Sequence, residues 1–179
     1  MADPQLNEPK YDELEFEIVM PPRGQSRARH RTVETKDGKR FGMAYKAKDQ
    51  ANDEKTMRVL MLEHHPLVPL CGPIWLSITA VMPMPKTGKS IAWRTAAKEQ
   101  KIFPLGRPDL DNICKNFSDV AKGIFWHDDT QVVSISAGKV YGEVPKYVVM
   151  IAYRKDMQPS AGNYEILLGE ADPDRDFFD

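Results

Sequence analysis

The sequence predicts a single α+β domain, a mixed β-sheet with two main helices packed on one face. Three observations carry that reading. Leu14, Phe16, Ile18 and Met20 alternate with Glu13, Glu15, Glu17 and Val19, and Ile74, Leu76, Ile78, Ala80 and Met82 repeat the same period of two, as strands with one buried face do. Two stretches, Asp49 to about Glu63 and Asp111 to Lys122, place apolar residues at helical spacing. The resulting order (strand, hairpin, helix, strand, helix, strand, strand) favours a mixed sheet with its helices on one side. A chain of 179 residues with 41% hydrophobic and 28% charged content is enough for one domain with a core.

Each element has a local cause. Pro21-Pro22 and Gly24 end the first strand. Asp37-Gly38 is a turn signal between Thr32–Thr35 and Arg40–Tyr45, which predicts a hairpin. Asp49 caps the first helix, Met57, Leu60 and Met61 form its apolar stripe, and His64-His65-Pro66 stops it. Pro83-Met84-Pro85 opens a segment to Gly106 with a short helix expected over Thr95–Gln100. The second main helix offers Ile113, Cys114, Phe117, Val120 and Ala121 as its apolar face. Gln131–Tyr141 and Tyr147–Tyr153 read as strands, expected to form a hairpin through Gly142-Glu143-Val144-Pro145. Residues 1–12 are expected to be a flexible N-terminus, 13–155 the folded domain and 156–179 an acidic tail.

The formal net charge of −1 conceals an asymmetry. Between Pro21 and Lys48 stand Arg23, Arg27, Arg29, Arg31, Lys36, Lys39, Arg40, Lys46 and Lys48 against Glu34 and Asp37 alone. From Asp156 onward there are seven acids and one base, Arg175. Charge acts locally because salt screens it beyond ~8–10 Å, so a near-neutral sum does not exclude a polyanionic partner. The basic stretch suits phosphate contact better than a plain solvated loop, and Lys86, Lys89, Arg94, Lys98 and Lys101 add a second basic segment. No apolar run approaches the ~20 residues of a membrane span, and the N-terminus lacks the order of a signal peptide. Cys71 and Cys114 lack metal-ligand spacing and read as free thiols of a reducing cytosol.

The densest chemistry lies in residues 107–129. Asp109 and Asp111 stand one residue apart, Lys115 follows four after the second, and Asp128-Asp129 lies downstream. If Pro108 keeps the backbone extended, Asp109 and Asp111 project to one side. Lys115 shares the helix face of Asp111, with Cβ atoms roughly 5–6 Å apart. A lone Asp-x-Asp would be no more than a helix cap with a surface ion pair. The downstream acids change that balance. Carboxylates brought to ~4 Å repel by a few kcal/mol at intermediate dielectric, so such a cluster needs a cation, a proton or an internal lysine. A hard divalent ion, Mg²⁺ with Mn²⁺ as substitute, together with Lys115 would satisfy it. Gly24, Gly38, Gly42 and Gly106 form no phosphate-binding loop, so no nucleotide cofactor is expected.

These residues resemble a known family, the RusA-type Holliday junction resolvases of bacteria and their phages. The resemblance rests on Arg107-Pro108-Asp109-Leu110-Asp111-Asn112 with Lys115 and Asp119, and on Phe125-Trp126-His127-Asp128-Asp129-Thr130-Gln131-Val132-Val133, and it extends through Gly138-Lys139-Val140-Tyr141. It covers roughly residues 13–154 and implies a RusA-like fold. It also implies a homodimeric, Mg²⁺-dependent endonuclease that nicks symmetric strands of four-way or branched DNA, in the cytoplasm of a bacterial or phage-infected cell. By position, Asp109, Asp111 and Asp129 match the family's metal-binding aspartates and Lys115 its catalytic lysine. Arg23, Arg27, Arg29, Arg31, Lys36, Lys39, Arg40, Lys46, Lys86, Lys89 and Arg107 would then grip DNA phosphates. The segment 83–106 is long for the family, and the acidic tail matches no family role. Two other readings stand beside this one: a non-catalytic branched-DNA-binding protein, and a DxD-type enzyme using nucleotide sugars, which the basic arm and strand order disfavour.

Overall fold

The computed structural model describes residues 8–25, 29–34, 37, 40–45 and 48–159. The chain runs through β1 (Tyr11–Ile18), β2 (Arg29–Glu34), β3 (Arg40–Tyr45), α1 (Lys48–Met61), β4 (Ile74–Pro83), α2 (Ile91–Lys98), α3 (Leu110–Ala121), β5 (Val132–Gly142) and β6 (Lys146–Arg154). Four strands form one mixed sheet in the order β1-β6-β4-β5, and β2-β3 form a separate antiparallel ribbon. The α+β architecture expected from the sequence is the one found.

Period-two burial explains how the sheet carries its helices. Ile74, Leu76, Ile78, Ala80 and Met82 of β4 are all buried, and in register beside them lie Tyr147, Val149 and Ile151 of β6 and Phe16 and Ile18 of β1. Against this face pack Ile113, Phe117, Val120 and Ala121 of α3 and Met57 and Met61 of α1. Burying such side chains gives ~1.5–3 kcal/mol each, which sets the register, since a slip of one residue would turn the whole row to solvent.

Several expectations are corrected. β5 and β6 do not form a hairpin. β5 runs parallel to β4, and β6 lies antiparallel on the other side of β4, between it and β1. Alternation specifies a strand's faces but not its neighbour. β6, apolar along most of its length, gains more from a central position than from the sheet edge. The connection crosses the end of β4 at Gly142, where a Cβ would come 2.3 Å from Val81 Cγ1, so a residue without a side chain is needed there. The short helix is Ile91–Lys98, not Thr95–Gln100, because Ser90 caps it by accepting from the Trp93 N–H. β1 starts at Tyr11, inside the stretch expected to be flexible. At the other end, Asp156 and Gln158 are bonded to the body, so residues 156–159 belong with the folded domain. No helix among the described residues is long and apolar enough to cross a membrane.

Candidate functional site

Two cavities flank the start of α3. One, of about 1010 Å³, lies among Pro21–Gln25, Pro83 and Arg107–Asp109, with Asn112 of α3 in its wall. The other, of about 700 Å³, opens between α3 and β5 and is lined by Asp111, Lys115 and Asp119 of α3, by Asp129, and by Ile135 and Ala137 of β5.

The helix explains this division. Asp111, Lys115 and Asp119 recur every four residues and so share one face. Asp109 precedes the helix as its N-cap, with extended backbone at φ −70° and ψ 146° and no side-chain cap bond. The helix begins at Leu110, so the period-two geometry expected for Asp109 and Asp111 does not apply. Asp109, on the extended segment before the helix, lines the first cavity, and Asp111, in the first helical turn, lines the second. Lys139 of β5 fixes the approach to Asp109 by donating to the carbonyls of Gly106 and Pro108, both at 3.0 Å.

The downstream acidic pair is split by its surroundings. Asp128 accepts from the Thr130 N–H at 3.0 Å and from Lys122 Nζ at 2.6 Å. The Lys122 bond, with the Thr130 bonds after it, lowers its carboxyl to about 2. Asp128 is thus committed to capping the 3-10 turn Asp129–Gln131. Asp129, the next residue, is exposed and opens on the cavity of Asp111 and Lys115. Gln25 Nε2 donates to Asp119 Oδ2, tying the segment after β1 to this face of α3. The Cys114 thiol is pushed up by burial and then by Asp111, which leaves it a poor nucleophile at neutral pH.

The donor chemistry fits a hard divalent ion that retains part of its water shell: exposed carboxylates from two separate chain segments share an open cavity with an ammonium. Among the described residues no group of three or more His, Cys, Asp or Glu converges closely enough to hold a metal ion, so the trio Asp109, Asp111 and Asp129 is not assembled around one point. Asp111 and Asp129 are brought to one cavity with Lys115; Asp109 stands next door, and Asp119 joins the first two.

The cationic residues are distributed around these openings. Arg23 and Arg107 line the larger cavity, and Arg23 reaches Asp53 at 3.5 Å. Lys86 and Lys89 are exposed beside α2, and Lys89 Nζ sits 4.8 Å from the centre of the Trp93 ring. Arg40 is exposed at the start of β3. Arg27, Lys36, Lys39 and Lys46 lie outside the described residues, as do the side chains of Arg29 and Arg31. Sequence reasoning missed Gln25, Lys139 and Gln131. Only Gln131 had a legible signal, since Asp128-x-x-Gln131 has the spacing of a capping box.

A mixed sheet thus carries an acidic, lysine-containing cavity beside an arginine-lined cleft. Residues 20–152 match the profile of the family described as Endodeoxyribonuclease RusA, and the chain belongs to that family. It is also 32% identical over 90 residues to YqaN, an uncharacterized protein of Bacillus subtilis (strain 168). That match takes in 50% of this chain and 63% of the relative.

Proposed function

We propose that this protein is a Mg²⁺-dependent endodeoxyribonuclease that resolves four-way and related branched DNA by paired symmetric nicks in recombination, repair or phage DNA processing. The observation that carries it is the cavity where Asp111 and Asp129, drawn from separate segments, meet Lys115 beside the cleft of Arg23 and Arg107. Carboxylates alone would repel a DNA phosphate. With a divalent ion they become its binding site, and the flanking arginines hold the neighbouring phosphates.

In this reading Asp111 and Asp129 would supply oxygen donors from one cavity and Asp109 from the neighbouring one, drawn together by the ion, with Mn²⁺ serving in place of Mg²⁺. A divalent ion held there would supply polarisation of the scissile phosphate and a water of lowered pKa. Lys115 orients that water or neutralises charge growing on the phosphoryl oxygens. Arg23, Arg40, Lys86, Lys89 and Arg107, with the basic residues of the ribbon, grip the backbone without reading sequence, so binding weakens as salt rises. Paired nicks need paired sites, and a homodimer with two-fold symmetry supplies them. The setting is the cytoplasm of a bacterial or phage-infected cell.

Purified protein incubated with a synthetic four-way junction and Mg²⁺ tests this directly. Wild type is expected to release nicked duplexes, and Asp111→Asn to lose at least ~100-fold in rate while binding the junction about as tightly in EDTA. Full nicking by Asp111→Asn would defeat the assignment. A wild type that binds the junction without cutting it would favour the second reading, a branched-DNA-binding protein.

A further inference from the structure

We infer that Gln131 is a positioning residue that fixes Asp129 for a divalent ion, an inference that rests on the reading of the cavity as a cation site. The Gln131 amide makes four hydrogen bonds. Its Oε1 accepts from the N–H groups of His127 at 2.8 Å and Asp128 at 3.0 Å. Its Nε2 donates to the carbonyls of Leu70 at 2.8 Å and Gly72 at 3.0 Å. The side chain thus ties the turn that presents Asp129 to a loop about sixty positions earlier in the chain.

That loop is a firm base. The Leu70 N–H donates to Phe125 O at 2.8 Å, beside the Leu70–Trp126 bridge. Gln158 holds the adjoining residue from both sides, accepting from the Cys71 N–H and donating to Cys71 O, each at 2.9 Å. Gly72 has φ +75°, and a Cβ there would come 2.8 Å from Met157 Sδ. The loop is thus hydrogen-bonded to Phe125 and Gln158, and the Gln131 amide fastens the turn carrying Asp129 to it.

The chemistry singles out glutamine. Asparagine is one methylene short. Glutamate keeps an acceptor for His127 and Asp128 but sets a second oxygen against the Leu70 and Gly72 carbonyls. Residues that orient a metal's ligands typically change its affinity 10–100-fold when removed. Glutamate also separates position from charge. An added negative charge would tighten cation binding, whereas a displaced Asp129 would loosen it.

The test uses the full chain without DNA. Mn²⁺ binding to wild type, Gln131→Leu and Gln131→Glu is followed by the electron paramagnetic resonance of free Mn²⁺, alongside amide exchange and junction binding in EDTA. Both variants are expected to bind Mn²⁺ at least ~10-fold more weakly, with faster exchange at His127 and Asp128 and junction affinity within about twofold of wild type. If Gln131→Leu fails to fold, Gln131→Glu, which retains half the bonds, carries the result. Gln131→Glu binding Mn²⁺ as tightly as wild type, or more tightly, would overturn the inference. A wild type that binds no Mn²⁺ and nicks no junction would instead defeat the reading of the cavity itself.

Discussion

Asp128 and Asp129 are the same side chain at adjacent positions, and only their partners distinguish them. Asp128 has its oxygens bonded to Lys122 and Thr130, and its depressed pKa marks an ionised form that favours the fold. The sign follows from linkage. The folded value near 2 lies below the unfolded value, so the stabilisation is full above about pH 4 and is lost as pH falls toward 2. Asp128→Asn is therefore expected to lower the melting temperature at pH 7 by more than it does near pH 2, with junction cleavage reduced only partly. Asp129→Asn is expected to leave melting within about 1 °C and abolish cleavage, because exposed carboxylates contribute little to stability. Melting curves at both pH values with a nicking assay check this; equal losses of cleavage in the two variants would contradict it. The family resemblance singled out Asp129 of the pair; what the sequence did not show is the capping role of Asp128, since that depends on where Lys122 ends.

At the scale of elements, the connection from β1 toward the basic ribbon is bolted down. The Arg23 N–H donates to Tyr147 Oη at 2.9 Å, Asn116 Nδ2 donates to Arg23 O at 3.3 Å, and the Gln25 N–H donates to Asn112 O at 3.0 Å. Gly24 fits because a Cβ would come 2.9 Å from Pro108 Cβ. Residues 23–25 are thereby fastened at the start of α3, beside the candidate site. Burial pushes the Tyr147 phenol up to about 12. For an acid held neutral in the fold, stability is complete below the unfolded value near 10 and falls as pH rises toward 12. Tyr147→Phe is expected to cost about 1–2 kcal/mol at pH 7, by leaving the Arg23 N–H unpaired, and to remove most of the alkaline loss. Urea midpoints at pH 7 and pH 11 measure both; an unchanged gap between the proteins at the two pH values would refute it.

For the whole molecule, the two sheet edges differ in kind. β1 presents Glu13, Glu15 and Glu17, charges that discourage pairing. β5 runs Val132-Val133-Ser134-Ile135-Ser136-Ala137-Gly138 without a charge, and Val133 and Ile135 are 57% and 50% exposed. α2 packs near the far end of β5 through Trp93 and Tyr141, leaving this stretch open. Among the described residues this edge is unpaired and uncharged, and lying next to the acidic cavity it is a fitting place for a second copy, as the proposed dimer needs. Sedimentation is expected to give twice the 20.4 kDa chain mass, and Ser134→Lys with Ser136→Lys to shift the protein toward monomer and slow paired nicking. A variant that stays dimeric would place the interface elsewhere.

Strand and helix identity, the basic stretch and the candidate acids were set by local pattern, because side-chain period and charge depend on neighbours a few residues away. Three things waited for the tertiary fold: the central place of β6, the separation of Asp109 from Asp111, and the Gln131 tie across sixty positions. Each depends on which distant segments meet, and pairing energies between segments are decided by packing that no local window contains.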